Sequence, residues 1–415
     1  MNIRNTTFFL SILLIIGLIA GLSSCGRMGE LIPDSSDPND ITIGVITSLT
    51  GRDAAPYGLP MKRGFMLARD EINAMTNLNI KFILEDDKST EDGAIKAVQN
   101  LVERNVSAIV GIAVSDYLED AFPIAQENGI VAFSSVSSAA GLSSIGDYIF
   151  RAGLATNNMI PSGIMITHEK LGYTKVATIY DSDDTYSISS NEEVVKALTA
   201  NGIEILTQET FSTGDTDFAM QLSNIMDMQP DALFISSLAG EMTQVIIQAG
   251  ALGITDTTQL IVPDLTNAEV QAAGNAAEGT IAFASWFSES DAPGNQAFVQ
   301  NYMAEFGIEV EPWAAQSYAA LYILANAISN ATDNSSSAIR DALAQTKDYP
   351  TVLGNFSFDP NGEALYNPVV LIVKDGVLQV PDVGIDSHPQ VPEMPDEGTT
   401  DETEMTDEGT TEHIQ

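Results

Sequence analysis

Ile41-Thr-Ile-Gly-Val-Ile46 is a short β-branched run. A stretch of helical period over Leu59–Met75 and a second apolar run, Ile80-Lys-Phe-Ile-Leu84, follow it. Runs of four to eight β-branched residues read as strands, and an apolar residue every three or four positions reads as a helix with one buried side. Met61, Phe65, Ala68 and Ile72 fall on one such face, and Ala94, Val98, Leu101 and Val102 on the face of a second helix expected near Asp92–Arg104. Strand, helix, strand, helix is the pattern of a parallel sheet covered on both sides. It continues through Ala108–Ile112, Ile130–Phe133, Val176–Tyr180, Ile203–Thr207, Ala232–Ile235, Leu260–Val262 and Thr280–Ala284. Two successive sets predict two doubly wound α/β lobes, whose ligands are bound at the carboxyl ends of the strands.

Upstream lie a charged start at Met1 and Arg4, an apolar run from Phe8 to Leu22 and the sequence Leu22-Ser-Ser-Cys25-Gly26. A charged start, a short apolar core and small residues before a cut form a secretory signal. The small-small-Cys end resembles the bacterial lipobox, which implies lipidation of Cys25 and cleavage before it. The other account is an ordinary signal followed by an incidental thiol. Cys25 is the only cysteine of the 415 residues, so no disulfide is expected. The spacer to Asp40 is rich in Asp, Ser and Pro and is expected to be flexible. No later stretch approaches the roughly 18 apolar residues of a membrane span.

Seventeen Lys and Arg against 57 Asp and Glu give a net charge of −40, which argues against nucleic acid or an anionic membrane surface as partner. Nine of the acids lie between Glu393 and Glu412, in a tail with the near-repeats Met394–Thr400 and Met405–Thr411. That composition is expected to be disordered. Before it, helices are predicted near Gln296–Phe306, Pro312–Ala331 and Ser336–Gln345. A strand over Val352–Phe358, a turn at Asp359–Gly362 and a hairpin of Val369–Lys374 with Val377–Val380 around Asp375-Gly376 follow.

Ile41–Gly51, Tyr57-Gly58 leading to Ala68–Asn73, Glu85-Asp-Asp87, Thr213–Phe218 and Phe356–Asp359, in this order and spacing, resemble the type I periplasmic solute-binding proteins. The likeness is to the leucine/isoleucine/valine-binding branch that feeds ABC importers, and it spans about Ile41 to Val380. It implies two lobes joined by three hinge crossovers, near Arg151, Phe283 and Gln345, with a cleft that closes on a ligand. The expected organisation is 1–24 signal, 25–40 linker, 41–151 plus 283–345 the first lobe, 152–282 plus 346–381 the second, and 382–415 the tail. The implied ligand is a small amino acid of aliphatic type or a related solute. The implied partner is an ABC permease, and a monomer without cofactor or metal is expected.

A zwitterion needs donors for its carboxylate and an acceptor for its ammonium where water is displaced. Strand-to-helix loops offer free N–H groups and hydroxyls, and Ser115 and the run Ser134–Ser138 occupy two of them. By family position Ser115, Val136, Ser137 and Ser138 resemble the carboxylate-binding set, Asp264 the amine-binding acid, Tyr186 a ring over the ligand and Tyr57 a residue of the rim. The plain alternatives are a helix cap at Ser115, a flexible serine loop, a solvated Asp264 and tyrosines that only pack. Relatives tend to carry an aromatic residue within Ser236–Gly240, where this chain has Leu238 and Ala239, so the side-chain pocket is expected to differ.

An enzyme is not expected. The histidines are His168, His388 and His413, and neither metal-ligand spacing, nor a phosphate-cradling loop, nor a Gly-x-Ser-x-Gly elbow occurs. Asp86-Asp87 and Asp183-Asp184 fit no calcium loop and read as solvated loop acids. The competing function is a lipoprotein of the same fold that regulates a membrane or cell-wall enzyme, or that senses a ligand without transporting it.

Overall fold

The computed structural model describes residues 39–381. Cys25, the signal, all but the last residues of the spacer, His388, His413 and the acidic tail lie outside them.

The first strand, β1 (Asp40–Thr47), pairs in parallel with β2 (Asn79–Asp86) on one side and with β3 (Ala108–Gly111) on the other. The sheet is completed by β4 (Val131–Ser134) and β5 (Ile149–Arg151), in the order β2-β1-β3-β4-β5. Helices α1 (Leu59–Met75), α2 (Glu91–Glu103) and α3 (Ser115–Glu127) connect the strands. The face of α1 read from sequence is the buried one, since Met61, Phe65, Ala68 and Ile72 are at most 1 % exposed.

After β5 the chain crosses to a second sheet by way of α4 (Thr156–Leu171). There β6 (Lys175–Asp181), α5 (Thr185–Ala200), β7 (Glu204–Phe211), α6 (Ala219–Met228), β8 (Ala232–Ser236), α7 (Ala239–Ala251), β9 (Gln259–Pro263), α8 (Asn267–Ala273) and β10 (Ile281–Ala284) repeat the winding. It crosses back after β10 into α9 (Asn295–Phe306), α10 (Pro312–Asn330) and α11 (Ser336–Leu343), which pack with the first sheet. A Cβ on Gly64 would lie 2.1 Å from the Ala314 carbonyl oxygen, so only glycine lets α1 and α10 lie this close.

The third crossing carries β11 (Tyr349–Thr351), β12 (Gly354–Phe358) and β13 (Ala364–Leu365), a small antiparallel sheet. The chain then returns as β14 (Val369–Lys374) and β15 (Val377–Gln379). The second sheet runs β15-β14-β10-β9-β8-β6-β7, with β14 antiparallel to β10. The single strand expected over Val352–Phe358 is instead the second half of a hairpin. The turn at Val352-Leu353 is closed by Leu353 N–H donating to Thr351 Oγ1 at 3.1 Å, with Gly354 at φ +106.

The expected solvated acids also need correction. Asp87 is 0 % and Asp184 3 % exposed. Asp87 accepts the Ser89 N–H at 2.9 Å, and Asp184 caps α5 by accepting the Ser187 N–H at 2.7 Å. They are buried because they close turns next to the sheets. His168 lies in the last turn of α4, half-buried, with Nδ1 3.0 Å from the Tyr173 carbonyl oxygen.

Arg151 joins the first crossing to the third. It is fully buried, and its Nε and Nη2 donate to Glu363 Oε2 at 2.9 and 2.5 Å. Its Nη1 donates to the carbonyl oxygens of Ala139 at 2.5 Å and Ser137 at 3.3 Å. Glu363 Oε1 accepts from the Ser143 hydroxyl at 2.6 Å. Burial pulls the guanidinium below its usual range and Glu363 opposes that pull. Removing one member of a buried pair strands the other charge, at about 3–5 kcal/mol. Arg151→Met is therefore expected to lower unfolding stability by about that amount in urea titrations, and a loss below about 1 kcal/mol would show that the pair does not brace the crossovers.

Candidate functional site

In both sheets the winding reverses beside the first strand, at β1/β3 and at β6/β8. Such reversals leave a crevice at the carboxyl ends of the strands. The two crevices face each other. Between them lies a narrow cavity of about 30 Å³ bordered by Ser115, Val136, Ser138 and Tyr57 from one lobe and by Tyr186, Leu238, Ala239, Met242, Asp264 and Glu269 from the other, with Trp313 closing one wall. An open groove of about 550 Å³ lies at the amino ends of the second sheet, around Tyr173, Thr258 and Thr280, where the winding leaves no crevice.

Ser115 opens α3, directly after β3. Its N-cap, Val114, has no side-chain oxygen to offer. The first-turn N–H groups of a helix have no partner within it, and the helix dipole makes that end attractive to an anion. Ser115 is therefore not the cap: its Oγ lies 3.1 Å from Ser137 Oγ and accepts the Ala139 N–H at 3.4 Å. The serine run is held firmly. Ser134 Oγ donates to the Ile112 carbonyl oxygen at 2.9 Å and accepts the Ser137 N–H at 3.2 Å, while Ser135 Oγ is 2.9 Å from Ser317 Oγ. Ser134, Ser135 and Ser137 are at most 1 % exposed, which excludes a loose, solvated loop. Val136 and Ser138 reach the cavity; Ser137 is buried behind them. No helix follows this loop, as it runs to a single 3-10 turn at Leu142–Ile145.

On the opposite side Asp264 follows β9 with its backbone in the left-handed region at φ 53, a conformation Asp tolerates better than most residues. Its N–H donates to the Phe283 carbonyl oxygen at 2.8 Å, and its Oδ1 accepts the Ser285 N–H at 3.4 Å. Burial pushes the carboxyl up to about 7, against the pull of Ser285. Asp264 is thus half-buried on the cavity wall rather than fully solvated. Tyr186, in the first turn of α5, and Tyr57 are buried, and burial raises both phenols well above their ordinary range.

Tyr57 packs on Trp313, with ring centroids 5.5 Å apart, and its hydroxyl oxygen accepts the Ala239 N–H at 2.9 Å from the start of α7. That bond joins the lobes. So do Thr185 Oγ1, which donates to Asp116 at 2.6 Å, and an ion pair of Arg52 with Glu241 at 3.7 Å.

The structure therefore brings together Ser115, Val136, Ser138, Tyr57, Tyr186 and Asp264 around one cavity. Sequence reasoning missed Glu269, Met242 and Trp313. Thr266-Asn-Ala-Glu269 has the spacing of a capping box, and Thr266 and Glu269 do form one. That signal locates a helix start but not the cavity beside it. Glu269 is pushed up to about 7, first by burial and further by Asp264 and Glu311, against its bonds to Thr266. Among the described residues no Lys, Arg or His borders the cavity. Such a space favours a cation at its acidic wall and an anion at the α3 terminus.

A family model described as periplasmic binding protein matches residues 40–375. The leucine-, isoleucine-, valine-, threonine- and alanine-binding protein of Pseudomonas aeruginosa is 26 % identical over 333 residues, 78 % of this chain and 87 % of that protein. Among solved structures, the branched-chain amino acid transporter substrate-binding protein LivJ of Streptococcus pneumoniae, in complex with isoleucine, is 28 % identical with a TM-score of 0.75, covering 82 % of this chain and 98 % of that one. The leucine-binding protein LivK of Thermotoga maritima is 25 % identical with a TM-score of 0.77, over 82 % and 97 %. With opposed strand ends around a shared cavity and a family match over most of its length, the chain belongs to the periplasmic binding proteins and has their type I fold.

Proposed function

We propose that this chain is the extracytoplasmic, lipid-anchored substrate-binding protein of an ABC importer, and that it captures an α-amino acid or a similarly small zwitterion between its lobes. The observation that carries the reading is the pairing of Asp264 with the uncapped start of α3 across one cavity that no basic side chain borders. Asp264 would accept the ligand ammonium. The first-turn N–H groups of α3, with Ser115 and Ser138, would donate to its carboxylate, while Val136, Leu238 and Met242 offer apolar contact to a short aliphatic segment. The names of the relatives, which bind branched-chain and other small amino acids, support the same class.

The cavity has room for about two water molecules, so entry requires the lobes to part. The Tyr57–Ala239 and Asp116–Thr185 bonds would then break on opening and form again on closure. Only the closed form lets both lobes touch one ligand, so binding would favour closure by that difference in contact. The closed face would dock on a permease, with Cys25 and the spacer keeping the receptor near the membrane.

Calorimetric titration of the purified protein with a panel of amino acids tests the reading directly. Saturable binding of at least one is expected; binding of none would favour a same-fold regulator or sensor. Asp264→Asn is expected to weaken binding by about 100-fold while leaving the unfolding midpoint nearly unchanged, because truncating one partner of a buried charge pair costs about 2–5 kcal/mol of affinity. Equal loss of binding and folding would reject the role.

The sign of the pH response follows from Asp264. Its carboxyl is raised to about 7 in the empty site, so below that pH it must release a proton before it can pair with an ammonium. Affinity should rise as pH increases from about 5.5 to about 8, with the change centred near the raised value. A flat profile over that range would contradict the assignment.

Cys25→Ser is expected to abolish incorporation of labelled fatty acid and to move the protein from the membrane to the soluble fraction. Unchanged membrane association would remove the anchor from the proposal.

A further inference from the structure

Glu269 performs a structural task that does not need its charge. Its Oε2 accepts the Thr266 N–H at 2.7 Å, and Thr266 Oγ1 accepts the Glu269 N–H at 3.4 Å. A capping box works as well with Gln as with Glu. Here Glu269 also borders the cavity, near Asp264, and among the described residues its hydrogen bonds are to Thr266. Two neighbouring carboxyls in an enclosed space without a basic side chain are each held against the cost of burying like charge. One of them is matched by the ammonium in the proposed reading. The other has no counterpart.

The two acids stand near each other on the wall that the second lobe gives the cavity. Among charged groups Asp264 acts most strongly on the Tyr186 phenol, and Glu269 most strongly on that of Tyr57. With the ligand carboxylate at the α3 terminus and its ammonium at Asp264, the lining left for the side chain includes Tyr57, Leu238, Trp313 and Glu269. Leu238, in the stretch where relatives tend to carry an aromatic residue, adds an aliphatic contact to this lining beside the Tyr57 and Trp313 rings.

We infer that Glu269 is a specificity-determining residue: its free oxygen accepts a hydrogen bond from the tip of the ligand's side chain, and the captured amino acid has a short aliphatic stem ending in an ammonium or amide N–H. This rests on the amino-acid reading of the cavity. Stem length is limited by the narrow space, and a plain alkyl tip would leave the Glu269 carboxyl dehydrated and unmatched.

Isosteric pairs test this. In 2,4-diaminobutyrate an ammonium replaces the terminal methyl of norvaline, and in asparagine an amide replaces the branched tip of leucine. Calorimetry of the purified protein should give at least about tenfold tighter binding of diaminobutyrate than of norvaline, and of asparagine than of leucine. Glu269→Gln should keep the unfolding midpoint within about 2 °C, because the cap survives, and should reduce the diaminobutyrate preference to below about threefold. Asp264→Asn should weaken all four ligands alike. Tighter binding of norvaline and leucine by the unaltered protein would overturn the inference while leaving the amino-acid reading intact. So would an unchanged preference in Glu269→Gln, or an equal loss of all four ligands in that variant. Binding of none of the four by the unaltered protein would overturn the inference; a failure of the wider amino-acid panel as well would overturn the reading beneath it.

Discussion

A guanidinium taken wholly out of water must find a carboxylate and carbonyl oxygens, or the fold that encloses it is lost. Arg151 finds both. Glu363 comes to it from the third crossing, and the carbonyl oxygens of Ser137 and Ala139 come from the serine loop. Because the Arg151 N–H also donates to the Gly362 carbonyl oxygen at 3.0 Å, two crossings are bound to each other at backbone and side chain alike. The consequence reaches the cavity. Val136 and Ser138 present themselves there from a loop whose neighbouring carbonyl groups are fixed by the same guanidinium, so the wall of the site and the joint between the lobes share one brace.

Charge has a different job at the centre of the molecule from the one it has outside. The surplus of acids keeps the chain solvated and repels anionic partners. On the cavity wall two half-buried carboxyls stand with no basic side chain among the described residues of the lining, and both are raised to about 7. Acids on one wall and the α3 terminus on the other give the cavity two opposite poles. Polarity in this cavity comes from backbone dipoles at one end of α3 and from the two acids. The parallel winding brings these groups together: α3 starts after β3, beside the reversal in the first sheet, and Asp264 and Glu269 follow β9 in the second, although they lie far apart in the chain.

Much of the fold was legible because its signals are local. The stripe of Met61, Phe65, Ala68 and Ile72 and the β-branched run after Ile41 report burial through spacing alone, and α1 has the limits read from sequence. Ser115, Val136, Ser138, Tyr57, Tyr186 and Asp264 could be named from their places after strands and from a family likeness. Glu269 and Trp313 could not. Glu269 carries a local helix-cap signal that fully accounts for it without the cavity, and Trp313 follows a proline at a helix start far along the chain from Tyr57. Asp87 and Asp184 were misread because loop acids are usually solvated, whereas these two close buried turns.

The sequence by itself determined the alternation of strands and helices, the acidic character, the candidate anchor at Cys25 and the strand-end positions that a ligand would use. Each follows from composition or from spacing within a few turns of chain. Tertiary structure alone decided that Arg151 meets Glu363, that Tyr57 bonds the start of α7, and that Glu269 stands beside Asp264. These are meetings between segments brought together only by the crossings. Their energetics depend on enclosure, because a carboxyl titrates near its ordinary value in water and near 7 only when the surrounding fold excludes it.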